Sequence, residues 1–167
     1  MEDKNDQMEN SVNREWLVIV NPNAGRKKGK KDWKKINRHL LESGFNFQTE
    51  FTEQKLHAIE LARQGVENGF RKIIVVGGDG TLNEVVNGVF DQSIVNPGDV
   101  VIGMITVGTG NDWGRMYHIP LKYKMAVKTL KKGKVFRQDT GMAEYIDQEN
   151  TNRRYFINMA GIGYDAM

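Results

Sequence analysis

The chain has 167 residues, of which 39% are hydrophobic and 27% are charged, a composition that is ordinary for a globular domain with its own core. It contains no cysteine, which excludes disulfide bonds and thiolate metal sites and favours an intracellular location. Much of the positive charge lies in two clusters, at 26–31 and 122–134, within a net charge of +3. Such clusters suit a polyphosphate, an anionic membrane or nucleic acid, although a lone cluster is more often a solvated face.

The start of the chain is polar and lacks the apolar segment of a signal peptide, so we expect 1–14 to be a disordered leader. No later stretch approaches the roughly 20 apolar residues that a membrane-spanning helix needs. A lipid substrate would therefore have to be met from the aqueous side.

Four elements are predicted in the first half of the chain. Continuous apolarity at 16–20 indicates a strand that is buried on both faces. Helical spacing predicts a helix at 31–41, with Leu41 in its apolar stripe. Alternation at 45–51 is typical of a half-buried strand, and a stripe at 58–66 predicts a second helix.

The same pattern continues in the second half. Buried strands are predicted at 72–76 and 100–106, with a helix at 82–89 between them. A short helix is expected from Asp112 and a longer one at 123–130. Alternation of strands and helices predicts a mostly parallel sheet with helices on both faces, which is a three-layer α/β/α fold.

After residue 134 the character of the sequence changes. Strands are predicted at 135–143 and 154–161, joined by a polar turn at 147–152. We expect this antiparallel pair to leave the α/β layer.

A glycine-rich turn follows the strand at 72–76 and consists of Gly77, Gly78, Asp79, Gly80 and Thr81. Glycines let backbone amides approach phosphate oxygens, and the next helix directs its positive end to the same point. Because a carboxylate repels phosphate, we expect Asp79 to act through magnesium or as a base, while a plain capping role is the alternative. Thr81 is expected to cap the helix in a capping box with Glu84.

A second turn of this kind follows the strand at 100–106 and consists of Gly108, Thr109, Gly110, Asn111 and Asp112. Carboxylates of Asp79 and Asp112 across one phosphate pocket would repel each other unless a cation lay between them. Magnesium is the natural cation because it binds few carboxylates and keeps phosphates as its other ligands. The neighbouring Trp113 either lines the site or anchors the loop.

The first strand also ends in a turn, Asn21 to Gly25, which is followed by the basic run at 26–31. In a parallel sheet, ligands bind beyond the carboxyl ends of the strands, so all three turns should meet at one edge. Spacing excludes the P-loop and the G-x-G-x-x-G dinucleotide fingerprint. The three histidines share no ligand spacing and predict no metal site.

At these turns the sequence closely resembles the diacylglycerol kinase catalytic-domain family, which includes bacterial lipid kinases, sphingosine kinases and ceramide kinases. The resemblance rests on Asn21-Pro22-x-Ala24-Gly25, on Gly77 to Glu84 and on Gly108 to Asp112. The motif Gly161-x-Gly163-Tyr164-Asp165-Ala166 resembles the family's entry into its second domain.

The resemblance implies an ATP-dependent kinase that transfers the γ-phosphate to a lipid hydroxyl, such as that of diacylglycerol, with magnesium. By motif, the residues that would hold the nucleotide are Asn21, Thr52, Gly77, Gly78, Asp79, Gly80, Thr81, Asn83, Glu84, Gly108, Thr109, Gly110 and Asn111. Asp79 would be catalytic, and Asp79, Asp112 and Asp139 would form an acidic network around the metal. The lipid acceptor would lie at a membrane surface, with the protein cytoplasmic and peripheral to the membrane.

Two features depart from the family pattern. Trp113-Gly114 replaces the more usual Phe-Ala, which would reshape the pocket wall. The resemblance also implies about 100–150 further residues of a second domain. We therefore expect an α/β nucleotide-binding domain at 15–134, the start of a truncated β-sandwich at 135–167, and poor activity of this chain alone. The acceptor-side base and the choice of lipid would lie mainly in that second domain.

Three rival functions stay open at this point. An NAD kinase shares the Gly-Gly-Asp-Gly turn, but the Asn21-Pro22 opening and the second turn disfavour it. A non-catalytic nucleotide-binding module could keep the glycines but would not need the three acids. Nucleic-acid binding is not expected, since no recognised reading motif is present. The sequence leaves a homodimer open.

Overall fold

The computed structural model describes residues 15–147 and 150–158. The predicted leader at 1–14 and the motif at 161–166 lie outside the described residues. Among the helices of the described ranges, none combines the length and the apolarity needed to cross a bilayer.

A four-stranded parallel sheet forms the centre of the fold. Its strands are β1 (Trp16–Val20), β2 (Phe47–Phe51), β3 (Lys72–Gly77) and β4 (Val101–Thr106), in the order β2-β1-β3-β4. The connections are helical, as parallel strands require. The helices are α1 (Ala24–Glu42), α2 (His57–Glu67), α3 (Asp79–Asp91), α4 (Asp112–Met116) and α5 (Tyr123–Lys132), with a short 3₁₀ turn at Pro97–Asp99.

Helices cover both faces of the sheet, which confirms the predicted three-layer fold. Alternate residues of a strand point to opposite faces, and both faces of the sheet are apolar. On one face, Leu17 and Ile19 of β1 belong to a buried cluster that includes residues of α2 and α3. On the other face, Val18 and Val20 belong to a second cluster with α1 and α5.

Helix α1 begins seven residues before the predicted start at residue 31. Three residues near its start, Gly25, Arg26 and Lys27, have φ between +57° and +69°, so the helix is broken there and continues regularly afterwards. Left-handed backbone is costly for side chains other than glycine, and sequence periodicity does not reveal it. Leu41 was expected in the apolar stripe, but it is 59% exposed because α1 covers the sheet only with its other side.

The predicted antiparallel pair is present as β5 (Gly141–Asp147) and β6 (Asn150–Phe156). The second strand begins four residues before its expected start at 154, so the expected polar turn at 147–152 is too long, and 159–161 of the expected strand lie outside the described residues. The expected start of the first strand at residue 135 is wrong, because 135–140 does not pair with another strand in the described part of the chain. This segment instead runs past α4, where the Phe136 ring lies 4.7 Å from that of Tyr117.

Candidate functional site

Three turns meet at the carboxyl edge of the parallel sheet, as predicted from the strand ends. The backbone amide of Asn21 donates to the Val76 carbonyl at 2.9 Å, and the amide of Val107 donates to the Gly77 carbonyl at 2.9 Å. The ladder thus continues one residue beyond β1 and β4 before the chain turns away. This edge is where open α/β sheets bind ligands.

The Gly77–Thr81 turn and the Gly108–Asp112 turn touch through their backbones. A Cβ atom built on Gly108 would lie 2.8 Å from the Cα of Gly78, closer than real Cβ atoms approach a backbone. Glycine is therefore required at Gly108 by this contact, not by an unusual backbone angle. The two phosphate-type turns form one continuous surface.

The Asn21–Gly25 turn joins the same edge through Gly25. Its φ is +60°, and a Cβ atom there would lie 1.7 Å from the carbonyl oxygen of Val107. The side-chain amide of Asn21 donates to the hydroxyl oxygen of Thr81 at 2.9 Å, across 60 positions of sequence. All three turns are therefore in direct contact.

Asp79, the first residue of α3, binds the start of α4 through its side chain. One carboxylate oxygen accepts the Asp112 amide and the other accepts the Trp113 amide, both at 3.0 Å. A carboxylate at this position satisfies free amides and interacts favourably with the helix dipole. The capping alternative for Asp79 is thus realised, although the helix that it caps is α4 and not its own.

Two carboxylates lie beside Gly110. A Cβ atom built there would be 3.2 Å from Asp79 Oδ2 and 3.9 Å from Asp112 Oδ2. Asp112 also pairs with Arg115, one turn further along α4. Asp139 is exposed, and the residues that the structure describes contain no group of three His, Cys, Asp or Glu side chains placed to hold a metal. The three-acid network remains a prediction.

The predicted capping box between Thr81 and Glu84 is wrong. The N-cap of α3 is Gly78, which has no side chain to donate or accept. The Thr81 hydroxyl lies in the first helical turn of α3 and accepts from the Asn21 side chain. Glu84 instead accepts the Ala58 amide at 3.4 Å, at the start of α2. Contacts with segments distant in sequence, the turn after β1 for Thr81 and the start of α2 for Glu84, decided both partners, and local spacing could not show them.

The remaining predicted nucleotide residues differ in exposure. Thr52 is buried just after β2, where its amide donates to the Val20 carbonyl at 2.9 Å. Gly80 and Thr109 are exposed at the edge, and Asn83 is half-buried. Asn111 is 8% exposed, with φ +55°, and its side-chain amide donates to the Gly108 carbonyl at 2.8 Å. The buried side chain of Asn111 therefore stabilises the backbone of its own turn.

Trp113 anchors the Gly108–Asp112 turn. Its ring is buried, lies 4.7 Å from the Tyr117 ring, and donates from Nε1 to Gln138 at 2.9 Å. Gln138 in turn donates to the Ile157 carbonyl at 2.8 Å. Gln138, which precedes Asp139, is thus linked to Trp113, which follows Asp112.

Sequence reasoning missed Asn87, a buried polar residue on α3. Its side chain donates to the Tyr155 carbonyl and accepts the Tyr155 amide, each at 2.9 Å, which joins β6 to the α/β layer. A cleft of about 360 Å³ opens beside it, lined also by Phe90, Arg153 and Arg154. Eight residues of helix separate Asn87 from Asp79, roughly 12 Å, so the cleft is distinct from the glycine turns. An asparagine within the apolar stripe of 82–89 was the available signal.

Fold and site together define a three-layer α/β domain whose glycine turns form a phosphate-type edge. Residues 15–143 match the family model of the diacylglycerol kinase catalytic domain, and the chain belongs to that family. This confirms the resemblance inferred from the three turns.

Relatives and solved structures agree with this assignment. The chain is 34% identical over 146 residues to a diacylglycerol kinase of Staphylococcus saprophyticus, covering 87% of this chain and 44% of the relative. It is 33% identical to a diacylglycerol kinase of Staphylococcus carnosus, with the same coverage. A crystal structure of a diacylglycerol kinase from Bacillus anthracis superimposes with a TM-score of 0.64 at 26% identity, covering 83% of this chain and 45% of that one. The chain therefore spans less than half the length of these proteins.

Proposed function

We propose that this chain is the nucleotide-binding part of an ATP-dependent lipid kinase that transfers the γ-phosphate of ATP to a lipid hydroxyl. The proposal rests on one observation above all, the direct contact of three glycine-bearing turns at the carboxyl edge of the sheet. Membership of the diacylglycerol kinase family supports phosphoryl transfer to a lipid. Diacylglycerol, named for the relatives, is the first acceptor to test.

Backbone amides would hold the phosphates. The first amides of a helix have no acceptor within the helix, and those of α3 begin just after Gly78 at the shared edge. Gly80 is exposed, and a Cβ atom built on it would contact nothing within 4 Å, so the space above the turn is open. A triphosphate could approach the backbone there without meeting a side chain.

Magnesium fits the carboxylates that the structure brings together. Mg²⁺ typically takes one or two protein carboxylates, with phosphates and waters as its other ligands. Asp79 and Asp112, which flank Gly110, would hold it. Each oxygen of Asp79 accepts one amide, and a carboxylate oxygen has capacity for a further partner. Bound there, the ion would neutralise charge on the phosphates during transfer.

The residues of this chain have distinct roles in the proposal. Asp79 orients the start of α4 and holds the Gly108–Asp112 turn against the Gly77–Thr81 turn. Asn21 fixes the Thr81 hydroxyl at the edge, and Asn111 holds the backbone of the Gly108 turn. Positioning of this kind supplies most of the catalysis in phosphoryl transfer, because the reaction needs little covalent help.

Two rivals are separable by experiment. An NAD kinase would transfer phosphate to a soluble dinucleotide, and a non-catalytic module would bind nucleotide without turnover. We propose that the reaction takes place in the cytoplasm at a membrane surface, where a lipid acceptor is available. Labelled ATP offered with diacylglycerol micelles or with NAD distinguishes these cases, and label found only in NAD would refute the lipid kinase.

Substitution of Gly80 by alanine tests the nucleotide site with little risk to the fold. A methyl group there meets no protein atom, and alanine stabilises a helix relative to glycine by roughly 0.5–1 kcal/mol. We expect Gly80→Ala to retain its melting temperature and to bind Mg-ATP at least tenfold more weakly in titration calorimetry. Gln64→Ala, an exposed change on α2, is the control and should bind normally. Unchanged ATP affinity of Gly80→Ala would contradict the proposed site.

A further inference from the structure

The Gln138 side chain is hydrogen-bonded at both of its ends. Its oxygen accepts the Nε1–H of Trp113 at 2.9 Å, and its nitrogen donates to the Ile157 carbonyl at 2.8 Å. Gln138 is half-buried and lies in the segment 135–140, which pairs with no strand in the described part of the chain. Backbone pairing therefore does not decide where Gln138 lies, and its side-chain contacts hold it in place.

Trp113, the donor to Gln138, is a fixed part of the candidate site. Its ring is buried and lies 4.7 Å from the Tyr117 ring. Its backbone amide donates to Asp79 Oδ1 at 3.0 Å. Trp113 thus binds Asp79 through its backbone and Gln138 through its ring. The contacts form an unbroken chain from the Asp79 carboxylate to the Ile157 carbonyl.

An acid adjoins each partner of the bond between Trp113 and Gln138. Asp112 precedes Trp113, and Asp139 follows Gln138. Asp112 also lies with Asp79 beside Gly110. Asp139 is exposed, and because consecutive Cα atoms are only about 3.8 Å apart, its place follows that of Gln138. The bond between the two side chains therefore sets the position of Asp139 relative to the other two acids.

A purely structural role for Gln138 would be to attach β6 to the α/β layer. That attachment has bonds of its own, since Asn87 donates to and accepts from the Tyr155 backbone at 2.9 Å and Phe90 stacks on the Tyr155 ring. Gln138 instead joins the residue before Asp139 to the residue after Asp112. An amide bonded at both ends is suited to holding a backbone in one place, because leaving either group unpaired costs free energy.

We propose that Gln138 is a positioning residue of the magnesium site, which holds Asp139 in place relative to Asp79 and Asp112 and thereby raises the affinity for Mg²⁺. The inference rests on the proposed function. Mg²⁺ usually keeps several waters, so an acid can stabilise the ion by accepting from one of them without touching the ion itself. This fits the described residues, in which three acids are not grouped closely enough to hold one ion directly.

Titration calorimetry of the whole chain with ATP, in EDTA and at a series of Mg²⁺ concentrations, tests the proposal. The measured quantity is the Mg²⁺ concentration that gives half of the gain in ATP affinity. We expect Gln138→Leu to need roughly tenfold more Mg²⁺ than wild type, as is usual when a residue that orients a metal-binding group is lost. Its ATP affinity in EDTA should stay unchanged.

Gln48→Leu is the matched control for this substitution. Gln48 on β2 is also half-buried, and its side chain also donates a hydrogen bond, to Glu50 at 2.8 Å. The control removes the same amide and introduces the same apolar group away from the three acids. It should need the same Mg²⁺ concentration as wild type.

Two further variants show whether Gln138 acts through Asp139. Asp139→Asn removes the charge and should raise the Mg²⁺ requirement at least as much as Gln138→Leu does. The double variant should then match Asp139→Asn alone, because the effects of residues that act through one another do not add. Trp113→Phe keeps an apolar ring but removes the Nε1–H donor, so it should reproduce the effect of Gln138→Leu.

Three results would overturn the proposal. An unchanged Mg²⁺ requirement in Gln138→Leu is the first. An equal fall of its ATP affinity in EDTA and in Mg²⁺ is the second, since it would leave Gln138 a structural role alone. Additive losses in the double variant are the third, since Gln138 would then act independently of Asp139. Should Gln138→Leu not fold, the same three measurements on Trp113→Phe decide.

The wild-type chain separates this inference from the proposed function. ATP affinity that does not depend on Mg²⁺ in wild type would remove the proposed magnesium site and the kinase proposal with it. Magnesium-dependent ATP binding that is the same in wild type and in Gln138→Leu would remove only the role of Gln138.

Discussion

The α/β layer and the β5–β6 hairpin are held in different ways. The layer contains two buried apolar clusters on opposite faces of its sheet, built from residues of every strand except β2 and from all five helices α1 to α5. The hairpin leaves Met142, Tyr145 and Ile146 46–78% exposed. It is attached to the layer mainly through Tyr155, which bonds with Asn87 and stacks on Phe90 at 4.1 Å.

This difference shows that the two regions depend on each other unequally. The layer buries enough apolar surface to be stable by itself, since each fully buried aliphatic side chain contributes roughly 1.5–3 kcal/mol. An isolated two-stranded hairpin is marginal in water. We therefore expect the hairpin to require the layer, and the layer to tolerate loss of the hairpin.

The largest effect is expected from deleting a buried side chain of the sheet. Ile74 on β3 is 0% exposed, and Ile74→Ala should destabilise the layer by about 3 kcal/mol through lost burial and an unfilled cavity. Ile146→Ala, at a 78% exposed position of the hairpin, is the matched control and should cost less than about 0.5 kcal/mol. Urea unfolding followed by circular dichroism measures both, and similar losses would contradict the comparison.

An intermediate effect is expected at the attachment point. Asn87→Ala removes both hydrogen bonds to the Tyr155 backbone and should weaken attachment of the hairpin by about 2 kcal/mol. Hydrogen exchange should become faster in 150–156 and remain slow in 72–77. Asn68→Ala, an exposed asparagine at the end of α2, should change neither segment. Equally faster exchange in β3 would show that the two regions are not separable.

The smallest effect is expected within the layer, at the contact between α1 and α5. Tyr123→Phe removes the hydrogen bond to Asp32 and should cost about 1 kcal/mol at neutral pH. Burial, together with the Asp32 hydrogen bond, raises the pKa of Tyr123 above its ordinary value. The unfolded chain therefore loses this proton first, so wild-type stability should fall as the pH rises above about 10.

Urea titrations of both proteins on either side of that pH provide the check. Phenylalanine does not ionise, so the stability difference between wild type and Tyr123→Phe should narrow as the pH rises. A difference that stays constant would mean that the hydroxyl is not held in its neutral form by the fold.

Sequence reasoning was most successful where apolar periodicity decides the structure. The buried strands at 16–20, 72–76 and 100–106 were placed within about a residue, because continuous apolar runs between turns have few alternatives. Convergence of the three turns followed from the geometry of parallel strands. These predictions needed no knowledge of individual side-chain partners.

The contacts that sequence reasoning did not foresee join residues distant in sequence. Glu84 caps α2, and Asp79 binds amides of α4, 33 and 34 positions away. The strand expected from residue 135 begins at Gly141, because the preceding segment packs on Tyr117. Local spacing contains no record of these contacts, so only the folded arrangement could show them.

The uneven distribution of charge has a consequence for how the molecule behaves in solution. A pI of about 9.0 describes a uniform, weakly basic particle. Residues 24–42 and 122–134, which comprise α1, α5 and the residues flanking α5, instead carry a net charge of +12, and the rest of the chain carries −9. Such an uneven distribution orients a molecule in the field of a charged surface before contact. Approach to an interface is thereby a directed event, and its rate will depend on ionic strength far more than a net charge of +3 suggests.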